Sequence, residues 1–280
     1  TVTLSGLALT GADAGNYQIA STTTTNADIT PKALSISTAS TANKIYDGTD
    51  TATITAGTLS GFIGSETVSA TASGQFADAN VGAGKSVSIS YSLADGSNGG
   101  LASNYSLASE TNTAAITAKA LSISNPTSTD KIYDGNNNIS IAAGTLSGFV
   151  GTETVTATAS GTTSDADAGT GKYVTIAYSL ADGTNGGLAA NYSLANGAAS
   201  VDITPKALSY SSVSVADKIY DGDDSASITS AGLSGFIGTE TVTALSQGSF
   251  DDANAGTNKT VTITYALADG TNGGKTGNYS

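Results

Sequence analysis

The chain lacks the residue types that carry much of enzyme chemistry. Its 280 residues include no Cys, Met, Trp or His, and all 10 basic residues are Lys. Without Cys and His, thiol nucleophiles, His-dependent triads and the usual zinc sites are excluded. Disulfide staples are excluded as well, although the bias toward small polar residues otherwise looks extracellular. We therefore expect no enzymatic activity from this chain.

Positive charge is also scarce, since 10 Lys stand against 23 Asp and Glu and the net charge is −13. Without a basic stripe, the chain is not expected to bind nucleic acid. The same charge disfavours adsorption to an anionic membrane. No apolar run approaches the roughly 20 residues that span a bilayer, so no membrane insertion is expected. No signal peptide opens the sequence, and any export signal is expected outside it.

What the sequence does contain is a long internal repeat. Lys44-Ile45-Tyr46-Asp47-Gly48 returns at 131–135 and at 218–222, a step of 87 residues each time. A fixed period of this length indicates a tandem array of one small domain. The predicted segments are the C-terminal part of a preceding repeat (1–30) and the first, second and third repeats (31–117, 118–204 and 205–280). The third is expected to lack its last strand.

Alternating apolar and small polar residues indicate strands. Val87, Ile89, Tyr91 and Leu93 alternate with serines, which is the period-two pattern of a strand with one buried face. Shorter segments of the same kind bring the expectation to about six or seven strands per repeat. The predicted fold is all-β, a tandem array of small antiparallel β-sandwich domains of Ig-like architecture. A β-grasp-like unit is the alternative, because the pattern does not encode strand order.

The motifs, in their order and spacing, resemble the YDG and MBG repeat domains of large bacterial adhesins. They are Lys44–Gly48, Gly57–Gly61, Ala79–Gly82, Asn104-Tyr105 and a closing Ile-Thr-Pro-Lys-Ala-Leu. The resemblance covers essentially the whole chain. It departs at Ala118, which replaces the Pro of that closing motif, and at 275–277, where Lys-Thr-Gly replaces Leu-Ala-Ser or Leu-Ala-Ala. Adhesins of this filamentous-haemagglutinin type are often exported by two-partner secretion.

This resemblance implies a rod-like stalk in an extracellular protein of the bacterial cell surface or matrix, without catalytic residues. We expect a stiff segment of a surface adhesin or biofilm-matrix fibre that projects or links cells. The joints between repeats are too short for flexible linkers, which favours stiffness. Expected partners are neighbouring repeats of the same chain or fibre. The alternative is a module that itself binds glycans or neighbouring fibres by avidity.

Acidic turns are the candidate metal sites. Calcium takes six or more oxygen ligands, and Asp and Asn side chains supply some of them. The candidate calcium ligands are Asp78, Asn80, Asp165, Asp167, Asp252 and Asn254. The full EF-hand spacing is absent, and a solvated acidic turn is the alternative. No other cofactor is expected.

Two further residue sets invite a chemical interpretation. Tyr46, Tyr133 and Tyr220 could stack on a ligand, but we favour buried rings with the hydroxyl at the edge of the core. A Lys–Asn isopeptide bond would need a neutral buried Lys beside a protonated carboxyl. The candidates for it are Lys44, Glu66 and Asn104, then Lys131, Glu153 and Asn191, then Lys218, Glu240 and Asn278.

The two ends of the chain raise a question of assembly. The third repeat is expected to lack its closing strand, whereas Gln18–Ile29 carries such a strand without a domain of its own. The simpler interpretation is a slice of a longer protein whose neighbouring repeats are covalently attached. The alternative is strand exchange, in which residues 1–30 of one molecule complete the third repeat of the next.

Overall fold

The computed structural model describes residues 2–3, 6–19 and 24–280. The described residues form strands and short 3-10 turns, so the all-β prediction is confirmed. None of their helical segments is long and apolar enough to cross a membrane. The chain divides into two compact units, Thr1–Thr117 and Ala118–Ser280.

The first unit contains the first repeat and the segment that precedes it. Its strands are β1 (Val2–Thr3), β2 (Thr24–Thr25), β3 (Lys32–Ala33), β4 (Ser35–Ile36), β5 (Ser40–Thr41), β6 (Lys44–Ile45), β7 (Thr51–Ala52), β8 (Ile54–Thr55), β9 (Leu59–Ser60), β10 (Val68–Phe76), β11 (Gly82–Asp95), β12 (Tyr105–Ser106) and β13 (Glu110–Thr117). A 3-10 turn, Ala14–Asn16, lies before the repeat, and another, Ala102–Asn104, precedes β12.

A five-stranded sheet, in the order β6-β13-β11-β10-β7, dominates the first repeat. Shorter pairs, β4 with β9 and β5 with β8, lie outside it. Leu34 and Leu59 from this short-strand side pack in one cluster with Val68 and Leu93 of the sheet. The core of the first repeat therefore lies partly between the sheet and the short pairs.

The antiparallel part of the fold prediction is wrong at two places in each of the first two repeats. In the first repeat β13 runs parallel to β6, and β12 runs parallel to β3. The long strands β10, β11 and β13 do pair antiparallel. Apolar alternation specifies which face of a strand is buried but not the direction of its neighbour, so the pattern could not reveal the parallel pairs.

The apolar residues that alternate with serines in β11 are buried on one face of the strand, as predicted. Val87 and Ile89 of β11 are 0% and 1% exposed, whereas Ser88 between them faces solvent. Val174 and Ile176 hold the same places in the second repeat and are both 0% exposed. Burial of these branched side chains on one face anchors the central strand of each sheet.

The second unit contains the second and third repeats. The strands of the second repeat are β14 (Lys119–Ala120), β15 (Ser122–Ser124), β16 (Thr127–Ser128), β17 (Lys131–Ile132), β18 (Asn138–Ile139), β19 (Ile141–Ala142), β20 (Thr145–Ser147), β21 (Val155–Thr162), β22 (Gly169–Asp182), β23 (Tyr192–Ser193) and β24 (Gly197–Thr204). Its main sheet, β17-β24-β22-β21-β18, repeats the order of the first. A 3-10 turn, Ala189–Asn191, precedes β23.

The third repeat has fewer and longer strands. They are β25 (Ser209–Val215), β26 (Ser225–Ala226), β27 (Ile228–Ser234), β28 (Val242–Phe250) and β29 (Val261–Asp269), followed by the 3-10 turn Thr276–Asn278. Its sheet has the order β26-β28-β29, and β25 pairs with β27. One buried cluster joins Tyr133, Ile139 and Ile203 of the second repeat to Val242 and Tyr279 of the third. The two repeats of this unit thus share a continuous core.

Candidate functional site

The most elaborate polar arrangement in the second unit is the contact between its two repeats. Tyr133, in the Lys-Ile-Tyr-Asp-Gly motif of the second repeat, is 4% exposed and donates a hydrogen bond of 2.8 Å to Glu240 Oε1. Tyr279 of the third repeat donates one of 2.6 Å to Glu240 Oε2. One carboxylate therefore accepts a hydroxyl from each side of the joint.

Aromatic rings surround this carboxylate. The rings of Tyr133 and Tyr279 lie 5.6 Å apart at 79°, and Phe236 meets Tyr279 at 5.6 Å and 76°. These are edge-to-face geometries, the favourable arrangement for aromatic pairs. Burial, and then the hydrogen bond to Glu240, raise the pKa of both Tyr133 and Tyr279. The tyrosines are therefore held as neutral donors to the carboxylate.

A second polar group centres on Asn278, which is 2% exposed. Its Oδ1 accepts a hydrogen bond of 2.8 Å from the backbone N–H of Ala168, and its Nδ2 donates one of 2.9 Å to Asp167 Oδ1. Lys275 adds an ion pair of 2.6 Å to Asp167 Oδ2. The hydrogen bond from Asn278, and then Lys275, lower the pKa of Asp167. The buried amide is thus satisfied across the joint, as a buried polar group must be.

Local structure places these side chains. The backbone N–H of Thr276 donates to Asp269 Oδ1 at 2.7 Å, which anchors the 3-10 turn that presents Asn278 and Tyr279. The backbone N–H of Ile237 donates to the Tyr279 hydroxyl at 3.1 Å and so fixes the ring. The corresponding bonds to Asp95 and Asp182 are 2.7 Å in the other repeats. Each repeat therefore builds the same Asn-Tyr turn by the same means.

On the second repeat, Lys131 shapes the turn that carries Tyr133. Its ammonium donates to Asp134 Oδ1 at 2.7 Å and to the Asn136 carbonyl at 2.6 Å. The prediction of a buried tyrosine is confirmed for Tyr46 and Tyr133, each 4% exposed, but Tyr220 is 66% exposed. The motif alone therefore does not bury its tyrosine.

The candidate calcium residues lie in three turns, and each turn forms an ion pair with a lysine that follows it in the sequence. The first acidic residue of each pair forms an ion pair with Lys: Asp78 with Lys85, Asp165 with Lys172, and Asp252 with Lys259. It also accepts the backbone N–H of the second residue, at 2.8 Å for Asn80, 3.0 Å for Asp167 and 2.7 Å for Asn254.

These lysines bear directly on metal binding. Hydrogen bonds from them lower the pKa of Asp78, Asp165 and Asp252. Within the described ranges no three His, Cys, Asp or Glu residues gather as a metal site would require. Calcium at these turns stays a prediction, and a bound ion would have to displace the ammonium of the lysine.

The isopeptide candidates of the third repeat have other partners. Lys218 pairs with Asp221 and Asp223, both at 2.8 Å. Glu240 contacts the two tyrosines, and Asn278 contacts Asp167 and Ala168. The lysine is therefore ionised in an acidic turn, whereas the reaction needs a neutral lysine beside the amide.

Sequence reasoning missed the ion pair between Lys275 and Asp167. A signal for it exists, because both residues depart from the pattern of the other repeats. Lys275 stands where the others have Leu101 and Leu188, and Asp167 stands where they have Asn80 and Asn254. A paired departure of opposite charge would have indicated the contact.

A small β-domain copied along the chain, with a core shared across the joint of the second unit, defines a tandem β-repeat protein. A comparison with protein families matches the YDG domain at residues 30–114, 117–200 and 204–280. The chain belongs to the YDG domain family. Comparisons with curated proteins and with solved structures gave no match.

Proposed function

We propose that this chain is a structural stalk segment of a secreted bacterial surface adhesin or biofilm-matrix fibre. In this proposal each repeat is a β-sandwich of Ig-like architecture, and the array acts by projecting or linking cells. No reaction is assigned to it. The observation that carries the proposal is the Glu240 carboxylate, which accepts hydroxyls from Tyr133 and Tyr279 across a joint.

Buried side chains hold the joint between the second and third repeats together. A flexible linker would leave two repeats free to rotate, whereas here buried hydrogen bonds and aromatic contacts tie them together. Bending the joint would separate Tyr133 from Glu240 and leave buried polar groups unpaired, at about 1–3 kcal/mol each. A joint of this kind transmits force between repeats, which is what a stalk requires.

Distance measurement between spin labels tests the stiffness. Because the chain has no Cys, the double variant Thr158→Cys, Thr243→Cys carries labels only at these exposed positions of β21 and β28. We expect a narrow distance distribution, and a broad one after Asn278→Ala is added. A distribution that is already broad in the labelled double variant without Asn278→Ala would contradict the stalk proposal.

The surface location is a separate part of the proposal. It predicts that a protease added to intact producing cells releases peptides of these repeats. Cells whose cytosolic marker proteins stay uncut provide the control. If the repeats are cleaved only after lysis, the proposed location is wrong.

A second candidate function is glycan binding, and an open cavity of about 410 Å³ in the first repeat, lined mostly by residues with polar side chains, favours it. Its lining includes Asp50, Ser73, Gln75 and Ser90. Gln75 donates to Asp50 at 2.7 Å, and the Ser73 and Ser90 hydroxyls lie 2.8 Å apart. A glycan array probed with the chain tests this function. Loss of glycan binding in Gln75→Ala would favour this function. The control is Thr162→Ala, at the matching place of the second repeat, which should bind like the unmodified chain.

A further inference from the structure

Two tyrosines stack on each other in the third repeat. The rings of Tyr210 in β25 and Tyr265 in β29 have centroids 4.3 Å apart and lie at 28° to one another. Tyr210 is 55% exposed, and Tyr265 is half-buried. Burial, and then the neighbouring Tyr210, raise the pKa of Tyr265, which therefore meets Tyr210 as a neutral phenol. Two phenol rings thus lie in contact, and one of them is open to an oxidant in solvent.

The stacked rings connect two sheets of the repeat. Strand β25 pairs with β27, whereas β29 pairs with β28 in the sheet β26-β28-β29. Among the described residues, no strand pairing joins β25 to β29. A covalent bond between the rings would therefore tie the two sheets together, as an inter-sheet disulfide does in other β-sandwiches. The chain has no Cys with which to form such a disulfide.

The strand pairing that places these rings is shared with the other repeats. Tyr210 has the cross-strand position that Ile123 has in the second repeat and Ile36 has in the first. Tyr265 has the cross-strand position of Tyr178 in the second repeat. The placement therefore comes from the fold that the repeats share, and the second tyrosine is specific to the third repeat.

We propose that Tyr210 and Tyr265 form a site of dityrosine cross-linking, at which hydrogen peroxide and a haem peroxidase couple the two rings. Each phenol gives up one electron and one proton and becomes a tyrosyl radical. A carbon–carbon bond then forms between the ring positions ortho to the two oxygens, and the hydrogen on each joined carbon moves to its oxygen. The peroxide takes up the two electrons and two protons and is reduced to two molecules of water. This site does not depend on the proposed stalk function.

Other tyrosines show why both contact and exposure matter. Tyr133 and Tyr279 lie 5.6 Å apart, but both rings are buried and both hydroxyls donate to Glu240. Tyr173 is 67% exposed, yet it belongs to neither of these two tyrosine pairs. An oxidant in solvent reaches Tyr173 and Tyr210 alike. A radical on Tyr210 already has a second phenol beside it, so coupling there needs no further encounter.

Peptide mapping of the full chain after treatment with hydrogen peroxide and a haem peroxidase tests the site. Trypsin cuts after Lys, so the two rings fall in the peptides Ala207–Lys218 and Thr260–Lys275, each with a single tyrosine. We expect these two peptides to be linked with the loss of two hydrogen atoms, and the treated chain to show dityrosine fluorescence. A treated chain without this linked pair overturns the proposal.

Two tyrosine variants separate stacking from exposure. Tyr210→Phe keeps an aromatic ring in the stack but removes one phenol, so it should lose the linked pair. Tyr173→Phe removes a more exposed phenol and should keep it. If Tyr210→Phe gives as much dityrosine fluorescence as the parent chain, coupling follows exposure alone and the proposal is wrong.

Mixing chains labelled with heavy nitrogen and unlabelled chains before oxidation distinguishes coupling within a molecule from coupling between molecules. Because the two rings are already in contact, the linked peptides should be either both heavy or both light. Linked pairs that combine one heavy and one light peptide in statistical proportion would mean that separate molecules are coupled, and this would also overturn the proposal.

The second repeat allows the same site to be built anew. Ile123→Tyr adds a phenol at the strand position of Tyr210, and Tyr178 already has the position of Tyr265. This variant should form an additional link between the peptide Ala120–Lys131 and Tyr178, whereas the matched control Ile123→Phe should not. If Ile123→Tyr melts like Ile123→Phe but forms no link, the shared strand positions do not create the site.

Melting curves test whether the bond ties the sheets. The bond would close a loop of 265 − 210 = 55 residues, which restricts the unfolded chain as a disulfide does. The oxidised chain should melt more than about 5 °C above the untreated chain. Tyr210→Phe, treated in the same way, should show no such rise. An equal melting temperature of the cross-linked and untreated chains would contradict a covalent tie between the sheets.

Discussion

The hydroxyl of Tyr133 donates a hydrogen bond of 2.8 Å to Glu240, a residue of the next repeat. The same carboxylate accepts the hydroxyl of Tyr279 at 2.6 Å. Both tyrosines are buried, and each hydroxyl donates its proton to this carboxylate. A single side chain thus couples the folding of one repeat to the placement of its neighbour.

Removing this carboxylate should destabilise the second unit. Glu240→Ala leaves two buried hydroxyls without their acceptor, and we expect a loss of about 2–4 kcal/mol in the free energy of unfolding. Urea titration followed by tyrosine fluorescence measures it, since the chain has no Trp. Glu66→Ala is the matched control and should cost less, because Glu66 accepts the single hydroxyl of Tyr105 within its unit. Equal losses in the two variants would count against a shared carboxylate.

Stability should fall in alkaline solution. Burial and the hydrogen bond to Glu240 raise the pKa of Tyr133 above its ordinary value of 10.0. The unfolded chain therefore releases its proton first, so this contribution is fully present below pH 10 and is lost as the pH rises through the folded pKa. In Tyr133→Phe the free energy of unfolding should fall less steeply above pH 10. The change in slope should correspond to at most one bound proton. An equally steep decline in Tyr133→Phe would contradict a raised pKa of Tyr133.

Chelation should not lower the melting temperature. Lysines already pair with Asp78, Asp165 and Asp252, so the folded chain does not need an added cation at these turns. A bound ion at one hundred times its Kd would add about 2.7 kcal/mol, which a melting curve detects readily. Curves in calcium and in a chelator should therefore coincide. A large drop on chelation would instead identify these turns as calcium sites.

Two nearby glycines should respond differently to alanine. A Cβ at Gly274 would overlap the backbone of Thr241, whereas one at Gly277 would meet nothing. The other repeats have Ser103 and Ala190 at the place of Gly277. We expect Gly274→Ala to cost more than about 2 kcal/mol of unfolding free energy and Gly277→Ala to be neutral or slightly stabilising. Similar effects in both would show that the turn yields to the added methyl group.

The local features were predictable from the sequence because they depend on neighbours along the chain. Val87 and Ile89 alternate with serines, and this alternation by itself specifies a strand with one buried face. Burial of Tyr133 was predictable for a similar reason, since an aromatic beside a strand usually contributes to the core. The exposure of Tyr220 was not, because the same motif is buried in one repeat and open in another.

The sequence by itself determined that this is an all-β chain of tandem repeats with a period of 87 residues, because periodicity and alternation are properties of the chain alone. Only the tertiary structure decided that β13 lies parallel to β6 and that Glu240 meets Tyr133. It also decided that Lys172 of β22 pairs with Asp165, a residue of a turn that had suggested calcium. The physical reason is that strand direction and side-chain partners depend on which distant segments meet in space, and local patterns carry no record of that choice.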